Sequence, residues 1–159
     1  MKKNYTVADM ANILHQASEL YMASSNIPID YGTGIKYTAV EVHMLRYIID
    51  HPGKTITDLA RDWDKTKAAL SQMMKKLELK GLIYKTPAPD SEKKQLFYAS
   101  DKGLVLNKTH IKYDSRVFAQ NINLLKKSCS KEDNETCFNV LEEYNHVRRK
   151  KHYRSPGEK

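Results

Sequence analysis

Thr66–Gly81 reads TKAALSQMMKKLELKG, and its spacing predicts one helix with two faces of different chemistry. Thr66 is a good N-cap, because its side-chain oxygen can accept from a backbone N–H that the first turn leaves without a partner. Gly81 is a good stop, because glycine enters the left-handed conformation cheaply. Leu70, Met73, Met74 and Leu77 fall at i, i+3, i+4 and i+7 and make one apolar stripe. The other face carries Lys67, Ala68, Ser71, Gln72, Lys75 and Lys76. Small residues let a helix approach DNA closely, Ser and Gln can bond base edges, and Lys can bond phosphate or guanine. Taken alone, the same face also fits an ordinary solvated surface.

The neighbouring sequence bears on that choice. Upstream, Thr57 opens a short helix, TDLARDW, with Leu59, Ala60 and Trp63 as its inward positions. The tight turn Asp64–Lys65 leads into the helix capped by Thr66, which gives the helix-turn-helix pattern. Downstream, LIYKT (82–86) and QLFYAS (95–100) alternate as strands. PAPDSEKK (87–94) between them is a proline-broken, charged loop. Two strands and such a loop after the second helix make a wing.

From Ile56 to Gly103 the chain resembles the winged-helix core of the multiple-antibiotic-resistance regulator (MarR) family. The matching residues are Leu59–Ala60, the capping Thr66, the block Leu77, Glu78, Gly81 and Leu82, and the ending Ser100–Gly103. The resemblance implies a mainly α (α+β) fold in one domain, 1–159. Within it, a winged helix-turn-helix core spans 38–103, dimerisation helices span 5–24 and 100–149, and a basic tail spans 150–159. It also implies a sequence-specific, DNA-binding transcriptional regulator, an effector-responsive repressor acting as a homodimer on a pseudo-palindromic operator. Thr66, Lys67, Ala68, Ser71, Gln72, Lys75 and Lys76 would meet DNA from the helix, and Lys85, Lys93 and Lys94 from the wing. Family wings commonly carry an Asp-x-Arg whose Arg enters the minor groove. This chain has Ser91, Glu92, Lys93 and Lys94 there. Lysine keeps the charge but loses the planar fork.

The 159 residues suffice for one domain with a core, or for a unit completed by dimerisation. With 40% hydrophobic and 29% charged residues the chain is globular. Its net charge of +8 favours polyanionic partners. That charge is uneven: Arg148, Arg149, Lys150, Lys151, Arg154 and Lys159 stand against Glu158, a net of +5 within Asn145–Lys159. No signal peptide is expected, because Asp9, Asn12, His15 and Gln16 interrupt the N-terminal segment. No stretch has transmembrane length. Cys129 and Cys137 are eight apart and fit no metal or redox spacing. The expectation is a cytoplasmic protein with no membrane partner.

In chain order, residues 5–24 form a helical pattern with Val7, Met10, Ala11, Leu14, Ala17, Ser18 and Tyr21 on one face. SSNIPIDYGTG breaks it, and residues 25–37 read as linker, with YGTG as a turn. Thr38 and Glu41 make a capping box for the next helix, whose stripe is Val42, Leu45, Ile48 and Ile49. Pro52 ends it. Ser100 caps a long helix to about Lys127, and Ser130 with Asp133 opens a last helix to about Arg149. The outer helices must bury their apolar faces, either on a second copy or by folding back on their own core. A two-fold dimer is the commonest symmetric answer, and the resemblance implies it.

No Ser/His/Asp or Cys/His constellation and no phosphate-cradling loop has local support, so no enzyme is expected. His110 and Asp114 are spaced i, i+4 and share a helix face. Imidazole and carboxylate together suit zinc or a similar divalent metal. Zinc-sensing family members resemble this chain here, placing one histidine near the start of the second helix and two, four apart, on the long helix. His43 and His110 match, and Asp114 stands where the third would be. The alternative is that His43 and His110 are partly buried residues with ordinary hydrogen-bond partners. Trp63, Tyr21, Tyr31, Tyr37, Tyr47 and Tyr113 could line a pocket for a small aromatic effector, or serve packing alone. Peroxide sensing in part of the family uses a cysteine near the N-terminus, and this chain has none before Cys129. A winged-helix protein-interaction module that does not bind DNA is the rival of another class. Such a module should show apolar anchors where this helix shows Lys, Ser and Gln.

Overall fold

A computed structural model describes residues 4–152, and side chains through Arg148. The chain divides into two compact units, Met1–His110 and Ile111–Lys159. The elements of the first are α1 (Val7–Ser25), β1 (Ile29–Asp30), β2 (Lys36–Tyr37), α2 (Ala39–Asp50), β3 (Lys54–Thr55), α3 (Ile56–Asp62), α4 (Lys67–Leu79), β4 (Ile83–Ala88), β5 (Ser91–Ala99) and the start of α5 (Asp101–Leu125). The second holds the rest of α5 and α6 (Lys131–His152). This is the winged-helix architecture expected from the sequence, mainly helical with a small antiparallel sheet ordered β3-β5-β4.

Local chemistry sets most boundaries. Thr6 with Asp9, Thr38 with Glu41 and Thr55 with Asp58 each form a reciprocal capping box. The third corrects one expectation: the short helix starts at Ile56 with Thr55 as its cap, not at Thr57. Thr55 has an acid three residues on that returns its hydrogen bond, and Thr57 has none. Gly81, at φ 70°, ends α4 as expected. Its N–H donates to Glu78 O at 2.8 Å, and Leu82 N donates to Leu77 O at 3.0 Å.

Two further expectations are corrected. Residues 25–37 are more than a linker, because Ile29↔Tyr37 and Asp30↔Lys36 pair as a short hairpin. The Asp30 carboxylate accepts from Gly32, Thr33 and Gly34 N–H and closes the turn between them. Tyr31 and Tyr37 anchor this hairpin in the core. The wing strands are also longer than expected, and only Pro89 and Asp90 separate them. Pro87 does not stop β4, since β4 is an edge strand, where a proline is tolerated. The register shifts just after it, between Pro87 and Ala88.

The core of the first unit joins Leu45 and Ile48 of α2, Leu59 of α3, Leu70, Met74 and Leu77 of α4, and Leu106 of α5. Each such burial contributes about 1.5–3 kcal/mol before entropy is counted. Gly103 lets α5 lie against the start of the wing: a Cβ there would run into the Leu82 carbonyl and meet Leu45 Cδ1 at 3.0 Å.

In the second unit, Phe118 and Phe138 meet with ring centroids 5.7 Å apart. Ser130 and Asp133 cap α6 reciprocally, as expected. Much of the remaining apolar surface faces solvent, including Leu124, Val140, Tyr144 and Val147. The same holds for Val7, Met10, Leu20 and Tyr21 of α1 in the first unit. Residues 153–159, most of the basic tail 150–159, lie outside the described residues. Among the described residues no helix is long and apolar enough to cross a membrane.

Candidate nucleic-acid interface

Helix α3 is held at both ends. The Thr55 hydroxyl donates to Asp58 Oδ2 at 2.6 Å, which with the Thr55 N–H holds the Asp58 carboxyl below its ordinary value. At the other end Lys65 N donates to Ala60 O at 3.0 Å, and Asp64 takes a left-handed φ of 49°. Aspartate tolerates that conformation better than most residues, so the turn Asp64–Lys65 leads into α4 with little backbone strain.

On α4 the stripe Leu70, Met74 and Leu77 is buried and Met73 half-buried. Thr66, Lys67, Ala68, Ser71, Gln72, Lys75 and Lys76 are all exposed. Thr66 accepts from Ala69 N at 3.2 Å and caps the helix. Lys76, although exposed, reaches back to Glu41 Oε1 at 3.2 Å. Leu79, 80% exposed, extends the outward face with an apolar group. Helical spacing gives Leu79 no role, because it lies off the buried side.

Between α4 and the wing runs a groove of about 790 Å³. Ser71, Lys75 and Glu78 line it from the helix, and Lys85, Lys93 and Lys94 from the strands. Lys85 is engaged by Glu78 at 3.2 Å, and Lys94 stands 3.5 Å from Asp90. Chemically, the arrangement offers hydroxyl, amide and ammonium groups on a protruding helix, with a cationic ribbon beside it.

Beneath this surface lies an acid whose role sequence reasoning missed. Glu41 is 1% exposed. Its Oε1 accepts from Lys80 Nζ at 2.6 Å and Lys76 Nζ at 3.2 Å, while Oε2 accepts from Thr38 N–H at 2.8 Å. Burial pushes its carboxyl up, but the bonds from Lys80, Thr38 and Lys76 outweigh burial and hold it below its ordinary value. The capping box is legible in sequence. The lysines, 35 and 39 residues away, are not.

The histidine candidates are placed as follows. The His43 and His110 rings meet edge to face, with centroids 5.0 Å apart, and a nitrogen of each lies within 4.8 Å of the other. His110 is 1% exposed, with Tyr31 edge-on at 5.1 Å. Tyr21 Oη lies 3.4 Å from His43 Nε2. Asp114 follows His110 by one turn of the same helix, α5. The proposed aromatic lining is distributed over separate places. Tyr47 donates to Asp62 at 2.8 Å and packs on Trp63 and His51. Tyr37 lies under Lys80 Nζ, 4.8 Å from the ring centroid. Tyr113 belongs to the second unit, 5.6 Å from Arg116.

Comparison with known proteins agrees with this geometry. Residues 33–94 match the sequence model of the MarR family. An uncharacterised HTH-type transcriptional regulator of Bacillus subtilis strain 168, YhjH, is 26% identical over 90 residues, 57% of this chain. The match spans about half of that relative's length, 51%. A MarR protein from Peptoclostridium difficile superposes with a TM-score of 0.73 at 19% identity, covering 95% of this chain and 96% of its own. Streptococcus pneumoniae FabT in complex with DNA gives 0.65 at 16% identity, over 87% and 96%. Lactococcus lactis ZitR, a zinc-responsive MarR family member, gives 0.59 at 20% identity, over 85% and 95%. Residues 33–94 thus carry the sequence pattern of the MarR family, and the described chain has the winged-helix fold of solved MarR-family proteins.

Proposed function

We propose that the protein is a sequence-selective DNA-binding repressor that acts as a homodimer on a pseudo-palindromic operator and changes DNA affinity with an effector. The observation that carries this reading is the exposed face of α4: Lys67, Ser71, Gln72 and Lys75 project away from the buried Leu70, Met74 and Leu77, beside the lysine-lined wing. Side chains of this kind on a protruding helix suit base edges in a major groove, and wing lysines suit phosphates. That FabT, of like fold, was crystallised with DNA supports it. The apolar surface left on α1 and α6 favours a second copy of the chain as partner. The test is selection of bound duplexes from a random pool. A symmetric pair of half-sites about one helical turn apart is expected, from a particle twice the 18.4 kDa chain mass by sedimentation. A monomer, or a pool left unenriched, refutes it.

A second reading, metal-dependent regulation, is favoured by the His43–His110 pair. Two imidazoles from different helices with a carboxylate one turn along suit zinc, which takes N and O donors at about 2.0–2.2 Å. His43 and His110 would supply nitrogen, and Asp114 oxygen. A bound ion would fasten α2, which supports the helix-turn-helix, to α5 and bias the DNA-binding form by its differential affinity for the two forms. The histidines must be neutral to bind a metal, so uptake should be pH-sensitive and weaken in acid. Titration of metal-stripped protein with zinc tests it, together with His110→Ala. No uptake, or uptake unchanged in the variant, leaves the histidines as packing residues.

A further inference from the structure

Glu41 is a fully buried carboxylate that does three things at once. It caps α2 through Thr38, takes the ammonium of Lys80 at the C-terminal cap of α4, and takes the ammonium of Lys76 one turn earlier. Lys80 is fixed from two other directions. Its Nζ lies over the buried Tyr37 ring, and its carbonyl accepts from Lys102 Nζ at 2.8 Å. The end of α4 is therefore tied by charge to the start of α2 and to the base of α5. Capping alone needs no such link, because Thr6–Asp9 and Thr55–Asp58 close the same box on α1 and α3 with an exposed or half-buried acid. A buried charge is expensive unless every lone pair is satisfied. Hydrophobic packing alone would let α4 roll a little about its stripe, whereas a directed ion pair fixes one orientation.

We propose that Glu41 is a positioning residue for DNA recognition, which sets the orientation of α4 through Lys80 and draws Lys76 back from the DNA-facing surface. The proposal rests on the DNA-binding reading above. Losing the link should blur which base edges α4 meets and release Lys76 to any phosphate. Selectivity should then fall while non-specific affinity rises, a pairing that mere loss of stability does not produce.

The experiment measures affinity for the duplex that the wild type selects from a random pool, and for a scrambled duplex of equal composition. It is done well below each variant's melting temperature and over a range of salt. Glu41→Gln and Lys80→Met should each lower the ratio of specific to scrambled affinity about fivefold or more, with the double variant no worse than either single one, as expected of one network. Lys80→Arg, which keeps the ion pair, should hold the wild-type ratio. Glu41→Gln should also steepen the log–log salt slope on scrambled DNA by about 0.9 for each lysine released to phosphate. If Glu41→Gln does not fold, the contrast between Lys80→Met and Lys80→Arg decides the matter. A selective wild type whose ratio is unmoved in Lys80→Met, or falls as far in Lys80→Arg, overturns the proposal alone. A wild type that enriches no sequence overturns the DNA-binding reading and the proposal with it.

Discussion

Lys85 Nζ stands 3.2 Å from both carboxylate oxygens of Glu78, so the first strand of the wing is tethered to the last turn of α4. The pair is part-exposed, and such pairs stabilise by about 0–1 kcal/mol. Glu78→Gln should therefore leave the melting temperature nearly unchanged. It should strengthen DNA binding several-fold at low salt, because Lys85 then has no carboxylate to leave and one negative charge is gone from the groove. Weaker binding in a gel-shift or anisotropy titration would show that Glu78 holds the wing where DNA needs it.

Gln72 lies on the exposed face, opposite the buried Leu70. Gln72→Ala should relax base preference at about one position per half-site, at a cost of roughly 1–3 kcal/mol there. Equal affinity of the variant and the wild type for operator and for scrambled DNA would take Gln72 out of the readout.

Lys93 is exposed on β5 at the rim of the groove. Lys93→Ala should make the log–log salt slope shallower by about 0.9 for each phosphate that the ammonium no longer neutralises. An unmoved slope would place DNA away from the wing.

Helix ends are the most legible part of this fold, because a Thr–x–x–acid or Ser–x–x–acid pair carries its own instruction. Thr38 with Glu41 and Ser130 with Asp133 can be read directly, and both close in the structure. The apolar stripe of α4 is legible for a similar reason, since Leu70, Met74 and Leu77 repeat at helical spacing. The wing reads too short in sequence because Pro87 is forbidding in a central strand and harmless at an edge, and strand order is a tertiary property. His43 and His110 are paired through a resemblance and meet in the structure, yet nothing in their own neighbourhoods requires it. The Glu41–Lys80 link is hidden for the same reason: its members are remote in sequence, and each looks locally like a surface charge.

Gly103→Ala tests the joint between α5 and the wing. The added methyl would run into the Leu82 carbonyl, and backbone gives way less readily than a side chain. Overpacking of this sort costs about 1–3 kcal/mol, which should appear as a lowered midpoint in urea with an unchanged slope. A variant as stable as the wild type would mean that α5 can slide.

Asp62 gives the acid response a structural source. Burial pushes its carboxyl up, but bonds from Tyr47, Lys54 and Arg61 together hold it below its ordinary value. A depressed carboxyl stabilises the fold above its unfolded-state pKa, and that stability is lost as pH falls through the folded value. Melting temperature should thus drop as pH is lowered below about 4, the ordinary aspartate range. Asp62→Asn should lower the melting temperature near neutrality and flatten its fall in acid. An equally steep acid fall in the variant would assign the response to other carboxylates such as Asp58 and Glu41.

The edge position of Pro87 has one more consequence, and it concerns what the wing avoids. A wing held out to solvent is a ready template for strand addition by another chain. Here one edge of the sheet is the two-residue β3, and the other is β4, with Lys85, Pro87 and a register irregularity along it. The stretch of β5 that β3 leaves uncovered carries Glu92, Lys93 and Lys94. The lysine-bearing ribbon beside the groove is thus also guarded against strand addition by a neighbouring chain.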